Sequence, residues 1–161
     1  MGIKIYLMSD IHGDIKALSD EERFRLNEFL KGLPLYMEID SSNFNFNKPI
    51  LLTHSGIDAD RYVTKENGDI DVCKSIEKAA GDREFKYLIS NDIHYASKSD
   101  RSRFDRYIIC GHVPTISLNE DGTSGIYKTK NYMCIDSGSG FRDRGGKLSC
   151  YCLNNDKVWY V

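Results

Sequence analysis

Metal-capable side chains follow three apolar runs of the sequence, each with a glycine close by. The runs are "YLMSDIHGD", "ILLTHSG" and "YIICGH". A strand exit is where an α/β fold exposes side chains at one edge of its sheet, so ligands from different strands can converge there. The candidate ligands at these exits are Asp10, His12, His54 and His112. We therefore expect one metal site that draws on all three runs.

The first run carries two of these candidates at a spacing that suits a shared ion. Asp10 and His12 are two residues apart, and alternate side chains of an extended segment point the same way. Gly13 has no side chain, so the backbone can turn tightly directly after these two residues. A carboxylate with an imidazole suits Mn, Fe or Zn better than Ca. Taken singly, each histidine is more often a hydrogen-bonded surface or core residue, and only the three exits together favour a metal site.

Composition restricts the class of protein. The chain has 161 residues, 40% of them hydrophobic and 29% charged, with a net charge of −2. These values predict one soluble globular domain spanning residues 1–161, with no nucleic-acid partner. No apolar run approaches the roughly 20 residues of a membrane helix, so we expect no membrane partner and a cytoplasmic location. The five cysteines lack zinc-finger spacing and are predicted to be small core side chains in a reducing compartment.

Hydrophobic patterns predict the elements that position the candidate ligands. A helix is expected from Ser19 to Leu30, ended by Gly32 and Pro34. Residues 58–105 are predicted to be helical or rich in loops, with a weak helix from Val72 to Ala80. The predicted strands are Ile3 to Met8 and the runs "LYMEI", "PILLTHSG", "RYIICGH", "YMCIDSGSG", "KLSCYCL" and "KVWYV", with "NND" as a hairpin turn between the last two.

The start of the first helix conflicts with the residues before it. Ser19 precedes Glu22 by three positions, which is the capping box of a helix N-terminus. Ile15 to Leu18 nevertheless already has the pattern of a helix that follows a strand exit. A capping box one turn into a helix is a local contradiction, because its side chains compete with helical hydrogen bonds. We therefore expect several tens of residues of the N-terminal αβ region to be absent between about Leu18 and Ser19.

An ordered set of motifs resembles one family. "SDIHGD", "LLTHSGI", "IICGHVPT" and "IDSGSGF", followed by "GGKLSCYCL", resemble motifs of the calcineurin-like metallophosphoesterases. The resemblance is strongest to the bacterial serine/threonine phosphatase and diadenosine tetraphosphatase branch. It implies an α/β fold, namely a metallophosphoesterase-like β-sandwich flanked by helices.

The resemblance also implies a metal-dependent hydrolase. Asp10 and His12 would hold one divalent ion, while His54 and His112 would hold a second, with Mn expected and Fe or Zn as alternatives. Two such ions about 3.5–4 Å apart activate a water for attack on phosphorus. The implied substrate is a phosphate ester or anhydride in a phosphoprotein, a phosphomonoester or a dinucleoside polyphosphate. No catalytic residue beyond the ligands is assigned.

Two motifs of that family are missing from this sequence. Neither "GDxxDRG" nor "GNHE" occurs, and "FRDRGG" from Phe141 lies after the last histidine, out of order. These motifs supply a bridging aspartate, an asparagine ligand, a phosphate-binding arginine and an acid-capable histidine. One alternative function is therefore a catalytically impaired remnant that binds metal or phosphate. Another is a fragment without activity that is stable only as a homo-oligomer.

Five further residues carry weaker hypotheses. His94 lacks both the apolar strand and the glycine of the first motif and is predicted to be an exposed loop residue. Arg142 and Arg144 could reach a phosphate, but a solvated pair in a loop is the favoured interpretation. Asp14 and Asp136 are expected to orient ligands from behind the site.

Overall fold

The computed structural model describes residues 6–8, 18–90 and 92–161, and every structural statement below concerns these residues. The described helices are α1 (Asp20–Lys31), α2 (Val72–Leu88) and α3 (Lys98–Arg103). The described strands are β1 (Tyr6–Met8), β2 (Tyr36–Ile39), β3 (Ile50–Thr53), β4 (Tyr107–Cys110), β5 (Tyr127–Thr129), β6 (Tyr132–Cys134), β7 (Ser149–Cys152) and β8 (Lys157–Tyr160). The chain therefore has a mixed α/β fold, as predicted.

The strands form two sheets. The central sheet has the order β2-β3-β4-β6-β5, and the small sheet has the order β1-β7-β8. Strands β3, β4 and β6 are parallel to one another, whereas β2 and β5 run antiparallel at the two edges of the central sheet. The carboxyl ends of the three parallel strands consequently meet at one edge, which is defined here as the exit edge.

Each face of the central sheet buries a separate apolar cluster, because side chains alternate along a strand. Ile50, Ile109 and Met133 face the small sheet and pack with its Tyr151 and neighbouring Leu153. The residues on the opposite face pack against α2, and they include Leu51, Ile108, Cys110, Tyr132 and Cys134. The central sheet thus lies between a helical layer and a second sheet, and its three parallel strands carry the buried side chains.

The predicted capping box is confirmed. The Ser19 N–H donates to Glu22 Oε2 at 2.8 Å, and the Glu22 N–H donates to Ser19 Oγ at 3.3 Å. The hydrogen bond from the Ser19 N–H, followed by one from the Ser19 hydroxyl at 2.8 Å, lowers the pKa of the Glu22 carboxyl. Two apolar side chains of α1 face solvent, since Phe24 is 65% and Phe29 63% exposed. The expected missing segment before Ser19 stays a prediction.

Most of the other predicted helices and strands are of the expected type, and some differ in length. The weak helix expected from Val72 to Ala80 extends to Leu88. The "NND" hairpin is confirmed by the antiparallel β7–β8 pair, whose turn contains Asp156 at a φ of 59°. Strand β5 was not predicted, and helix α3 lies within residues 58–105, which were predicted to be helical or rich in loops. No helix in the described part of the chain is both long enough and apolar enough to cross a membrane.

Candidate functional site

The exit edge brings two of the predicted ligands together. His54 directly follows β3, and His112 lies two residues beyond β4. Because these strands are parallel neighbours, their exits are adjacent, and the two imidazole rings lie 5.1 Å apart between centroids at an interplanar angle of 59°. Asp136 follows β6, the next strand of the sheet, by two residues. Three metal-capable residues therefore follow three strands that are neighbours in the sheet.

Backbone hydrogen bonds connect the turns that carry these residues. The Gly111 N–H donates to the His54 carbonyl at 3.0 Å, which joins the exits of β3 and β4. The Thr115 N–H donates to the Asp136 carbonyl at 2.7 Å, which joins the segment after β4 to the exit of β6. The positions of the two histidines and the aspartate are thus coupled through main-chain contacts, and they do not depend on side-chain packing alone.

Asp136 is held inside a glycine turn. The residue is 2% exposed, and its Oδ1 accepts a hydrogen bond from the Gly138 N–H at 2.8 Å. Gly138 has a φ of 78°, a left-handed conformation that glycine adopts without steric cost. A Cβ placed on Gly111 would lie 3.8 Å from the Asp136 Cβ, so the β4 exit passes directly over the aspartate.

Two buried hydroxyls flank the aspartate without a hydrogen-bond partner in the described part of the chain. They are Thr115 Oγ1 and Ser137 Oγ. Buried polar atoms in folded proteins nearly always have a partner, which is often ordered water or a bound ion. Both hydroxyls belong to the segments that carry Asp136 and its backbone partner, so the buried side of the exit edge is polar.

His112 adopts an unfavourable backbone conformation at this edge. Its φ is 73°, in the left-handed region. A residue with a Cβ pays about 1–2 kcal/mol there, because Cβ approaches the following carbonyl oxygen. Strain of this kind tends to persist at functional sites, where the geometry of a side chain outweighs local stability. The strain is consistent with selection for the position of the imidazole.

Glycine at position 112 should therefore be more stable than alanine at the same position. Both His112→Gly and His112→Ala remove the imidazole, and they differ only in the Cβ. We expect His112→Gly to unfold with a free energy about 0.5–1 kcal/mol higher, after the greater unfolded-state entropy of glycine is subtracted. Urea denaturation of the two metal-free variants measures this difference. Equal stabilities, or a more stable alanine variant, would show that the backbone at His112 is unstrained.

The other predicted ligands lie outside the described residues. Asp10 and His12, and with them Asp14, fall in the segment 9–17. Their place in the metal site stays a prediction. Arg142 and Arg144 lie on an exposed 3-10 helix, where Arg144 lies near Asp143 and its guanidinium lies 5.8 Å from the centroid of the Phe141 ring. This arrangement agrees with the favoured interpretation of the two arginines as a solvated pair.

The prediction for His94 was wrong. The residue is 1% exposed and lies on a 3-10 helix at Asp92–Tyr95. Ile93 packs onto Gly56 so closely that a Cβ on the glycine would lie 1.9 Å from Ile93 Cγ2, and this contact draws the segment into the core. The apolar Ile93 and the glycine after the second motif were the available signals, but their partnership is not local in sequence.

His94 belongs to a cluster that sequence reasoning missed. One of its ring nitrogens and the sulphurs of Cys110 and Cys134 all lie within 4.8 Å of one another, and all three residues are buried. Cys110 and Cys134 are register partners on β4 and β6. A hydrogen bond with Cys110, followed by burial, raises the pKa of the Cys134 thiol well above its ordinary value. All five cysteines are free thiols, and three are buried, as expected for core side chains.

The described residues therefore present two separate groups of metal-capable side chains. One is the pair of imidazoles at the exit edge, and the other is the buried cluster of one histidine and two cysteines. Among the described residues, only the buried cluster brings three donor atoms within 4.8 Å of one another. Comparison of the chain with models of known protein families, with curated proteins and with solved structures finds no match.

Proposed function

We propose that this chain is a metal-dependent phosphoesterase with a metallophosphoesterase-like fold. The observation that supports the proposal is the convergence of His54 and His112, whose ring centroids lie 5.1 Å apart at the exits of adjacent parallel strands. The reaction would be hydrolysis of a phosphate ester or anhydride in a phosphorylated small molecule or a phosphoprotein, in the cytoplasm.

The donor types at the exit edge fit a divalent ion of the first transition row. Imidazole with carboxylate suits Mn, Fe and Zn, and we expect Mn. His54 and His112 would be direct ligands, and Asp10 and His12 are expected to complete the set. Asp136 would orient a ligand and would not bind the ion itself, since its carboxylate already accepts a hydrogen bond from the Gly138 N–H. A divalent ion bound there would supply Lewis-acid polarisation of phosphoryl oxygen and would lower the pKa of a coordinated water.

The protein's own contribution would be positioning. The main-chain bond from Gly111 to the His54 carbonyl fixes the spacing of the two imidazoles before any ligand arrives. Preorganisation of this kind avoids the cost of ordering the donors when substrate binds. The exposed position of His54 leaves the edge open to a phosphate that is attached to a large group, such as a phosphoprotein.

Hydrolysis of p-nitrophenyl phosphate by the full chain tests the proposal. The metal-free protein should be inactive, and added Mn²⁺ should produce saturable turnover. The variant His112→Ala should lose that turnover while keeping its circular dichroism spectrum, because the change removes one imidazole from a partly exposed turn.

Two outcomes would separate this proposal from its alternative. Binding of Mn²⁺ without turnover on any phosphate ester would favour a metal-binding remnant of the fold, in keeping with the two missing motifs. Turnover that is equal in His112→Ala and the unaltered chain, or is absent together with metal binding, would contradict the proposed site.

A further inference from the structure

We propose that His94, Cys110 and Cys134 form a second metal site, for Zn²⁺, distinct from the exit edge, with three protein ligands and an open fourth position. This group is called the thiol cluster below. Its three donors come from three segments of the chain: the 3-10 helix at Asp92–Tyr95 and strands β4 and β6. One imidazole and two thiolates are ligands that zinc commonly takes in proteins.

The spacing of the donors is close to that of a zinc site. All three donor atoms lie within 4.8 Å of one another. Zn–S bonds of about 2.3 Å and Zn–N bonds of about 2.0–2.1 Å place tetrahedral ligands about 3.5–3.8 Å apart. The donors would therefore have to close by about 1 Å, which small side-chain rotations can provide.

The imidazole of His94 has one ring nitrogen without a hydrogen-bond partner in the described part of the chain. Its Nδ1 lies 2.5 Å from the Tyr132 hydroxyl, while its buried Nε2 has no hydrogen-bond partner in the described part of the chain. If Nδ1–H donates to the tyrosine oxygen, Nε2 carries a lone pair to which no described group donates. Metal-bound histidines typically have this arrangement, in which the second nitrogen is fixed by an outer hydrogen bond. The orphaned Nε2 is the observation that points to a ligand.

The charge around the cluster also favours two thiolates with one divalent ion. Arg101 is 5% exposed, its guanidinium lies 4.6 Å from the centroid of the Tyr132 ring, and it donates to the His94 carbonyl at 2.7 Å. Among the described residues no carboxylate forms a salt bridge with it. Binding of Zn²⁺ to the two thiols releases two protons to solvent and leaves a site of zero net charge. Metallation therefore adds no positive charge beside a buried cation.

A cleft reaches His94, one of the three members of the cluster. The cleft has a volume of about 580 Å³ and is lined by His94 together with Lys98, Leu118 and Tyr127, among other residues. Once bound, the ion would join the Asp92–Tyr95 helix to strands β4 and β6, which lead directly to His112 and Asp136. The bound ion would thus cross-link these three segments next to the exit edge.

Cobalt spectroscopy distinguishes this site from the exit edge. The experiment uses the full chain, kept reduced, with the double substitution His54→Ala/His112→Ala to remove the imidazoles of the exit edge. We expect one equivalent of Co²⁺ to bind with thiolate-to-cobalt charge-transfer absorption and to be displaced by Zn²⁺. Histidine and carboxylate ligands give no such absorption, so the result is independent of phosphoesterase activity.

Single substitutions locate the ligands. Cys134→Ala and Cys110→Ala should each abolish the charge-transfer band, whereas Cys150→Ala, a half-buried cysteine on β7, should leave it unchanged. Tyr132→Phe should weaken binding by about 10-fold, because it removes the hydrogen bond that orients His94. No thiolate band in the reduced protein, or a band that survives both Cys110→Ala and Cys134→Ala, would overturn the proposal.

A measurement on the unsubstituted chain covers the case in which a core variant fails to fold. Alkylation of each cysteine is followed by mass spectrometry with Zn²⁺ and with a chelator. Free Zn²⁺ at about ten times its dissociation constant should slow alkylation of Cys110 and Cys134 about tenfold. The reason is that most molecules then hold Zn²⁺, and only the metal-free molecules react. The half-buried Cys73 and Cys150 should react equally in both conditions. If each of the five cysteines is alkylated at the same rate with Zn²⁺ as with the chelator, the thiol cluster is not a zinc site.

Discussion

Gly146→Ala is expected to destabilise the fold by about 3 kcal/mol or more, because the new methyl group has no space. A Cβ at this position would lie 1.9 Å from the Gly138 carbonyl oxygen and 2.9 Å from the Phe141 carbonyl oxygen. Both obstacles are main-chain atoms, so no side-chain rotation can relieve the clash. The Gly146 N–H also donates to the Phe141 carbonyl at 3.0 Å, and this hydrogen bond holds Gly146 close to Phe141.

The adjacent glycine provides a matched control. Gly145 has a φ of 83°, and a Cβ there would meet nothing within 4 Å. Gly145→Ala should therefore cost only about 0.5–1 kcal/mol, which is the backbone strain less the greater unfolded-state entropy of glycine. Urea denaturation of both variants separates the two effects. A Gly146→Ala cost no larger than that of Gly145→Ala would show that the turn can yield, and that the contact with Gly138 does not constrain it.

The same substitution should also disturb the exit edge. The Gly138 carbonyl that the methyl group would displace belongs to the residue whose N–H holds the Asp136 carboxylate. Any loss of Mn²⁺ affinity in a folded Gly146→Ala variant would thus report on Asp136 without a change in its side chain.

Removal of either exit-edge imidazole should have the largest effect on metal binding. Loss of a residue that only orients a metal ligand typically weakens metal binding by about 10–100-fold. We expect His54→Ala and His112→Ala each to weaken Mn²⁺ binding by more than this. Each change deletes a donor, and the hydrogen-bonded turns prevent a neighbour from moving into its place. Isothermal titration calorimetry on the folded variants measures the loss.

Two further variants calibrate that result. Asp136→Asn keeps the shape of the side chain but removes its charge, and it should weaken Mn²⁺ binding by about 10–100-fold. Phe29→Ala truncates an exposed ring on α1 and should leave the affinity unchanged. Affinities for His54→Ala and His112→Ala that match the Phe29→Ala value would mean that Mn²⁺ binds elsewhere.

Features that depend on neighbouring residues were predictable from sequence. The capping box of Ser19 and Glu22 is local, and it is formed by both of its hydrogen bonds. The strands before His54 and His112 were recognisable as apolar runs that end at turns. Their convergence followed from the rule that parallel strands share an exit edge, and the structure places the two rings side by side.

Features that depend on register and packing between distant segments were not predictable. The pairing of Cys110 with Cys134 is set by the register of β4 against β6, which the spacing of the two cysteines along the chain does not reveal. His94 is buried because Ile93 packs onto Gly56, a contact across a long stretch of sequence. Strand β5 has only three residues, too few for an alternating pattern to stand out.

Pulsed electron paramagnetic resonance of bound Mn²⁺ tests the exit edge most directly, because it identifies the atoms that touch the ion. We predict nitrogen couplings from imidazole in the unaltered chain, and their loss in His54→Ala and His112→Ala in proportion to the nitrogens removed. A bound Mn²⁺ with oxygen ligands alone, or couplings identical in the chain and in both variants, would contradict a metal site built on His54 and His112.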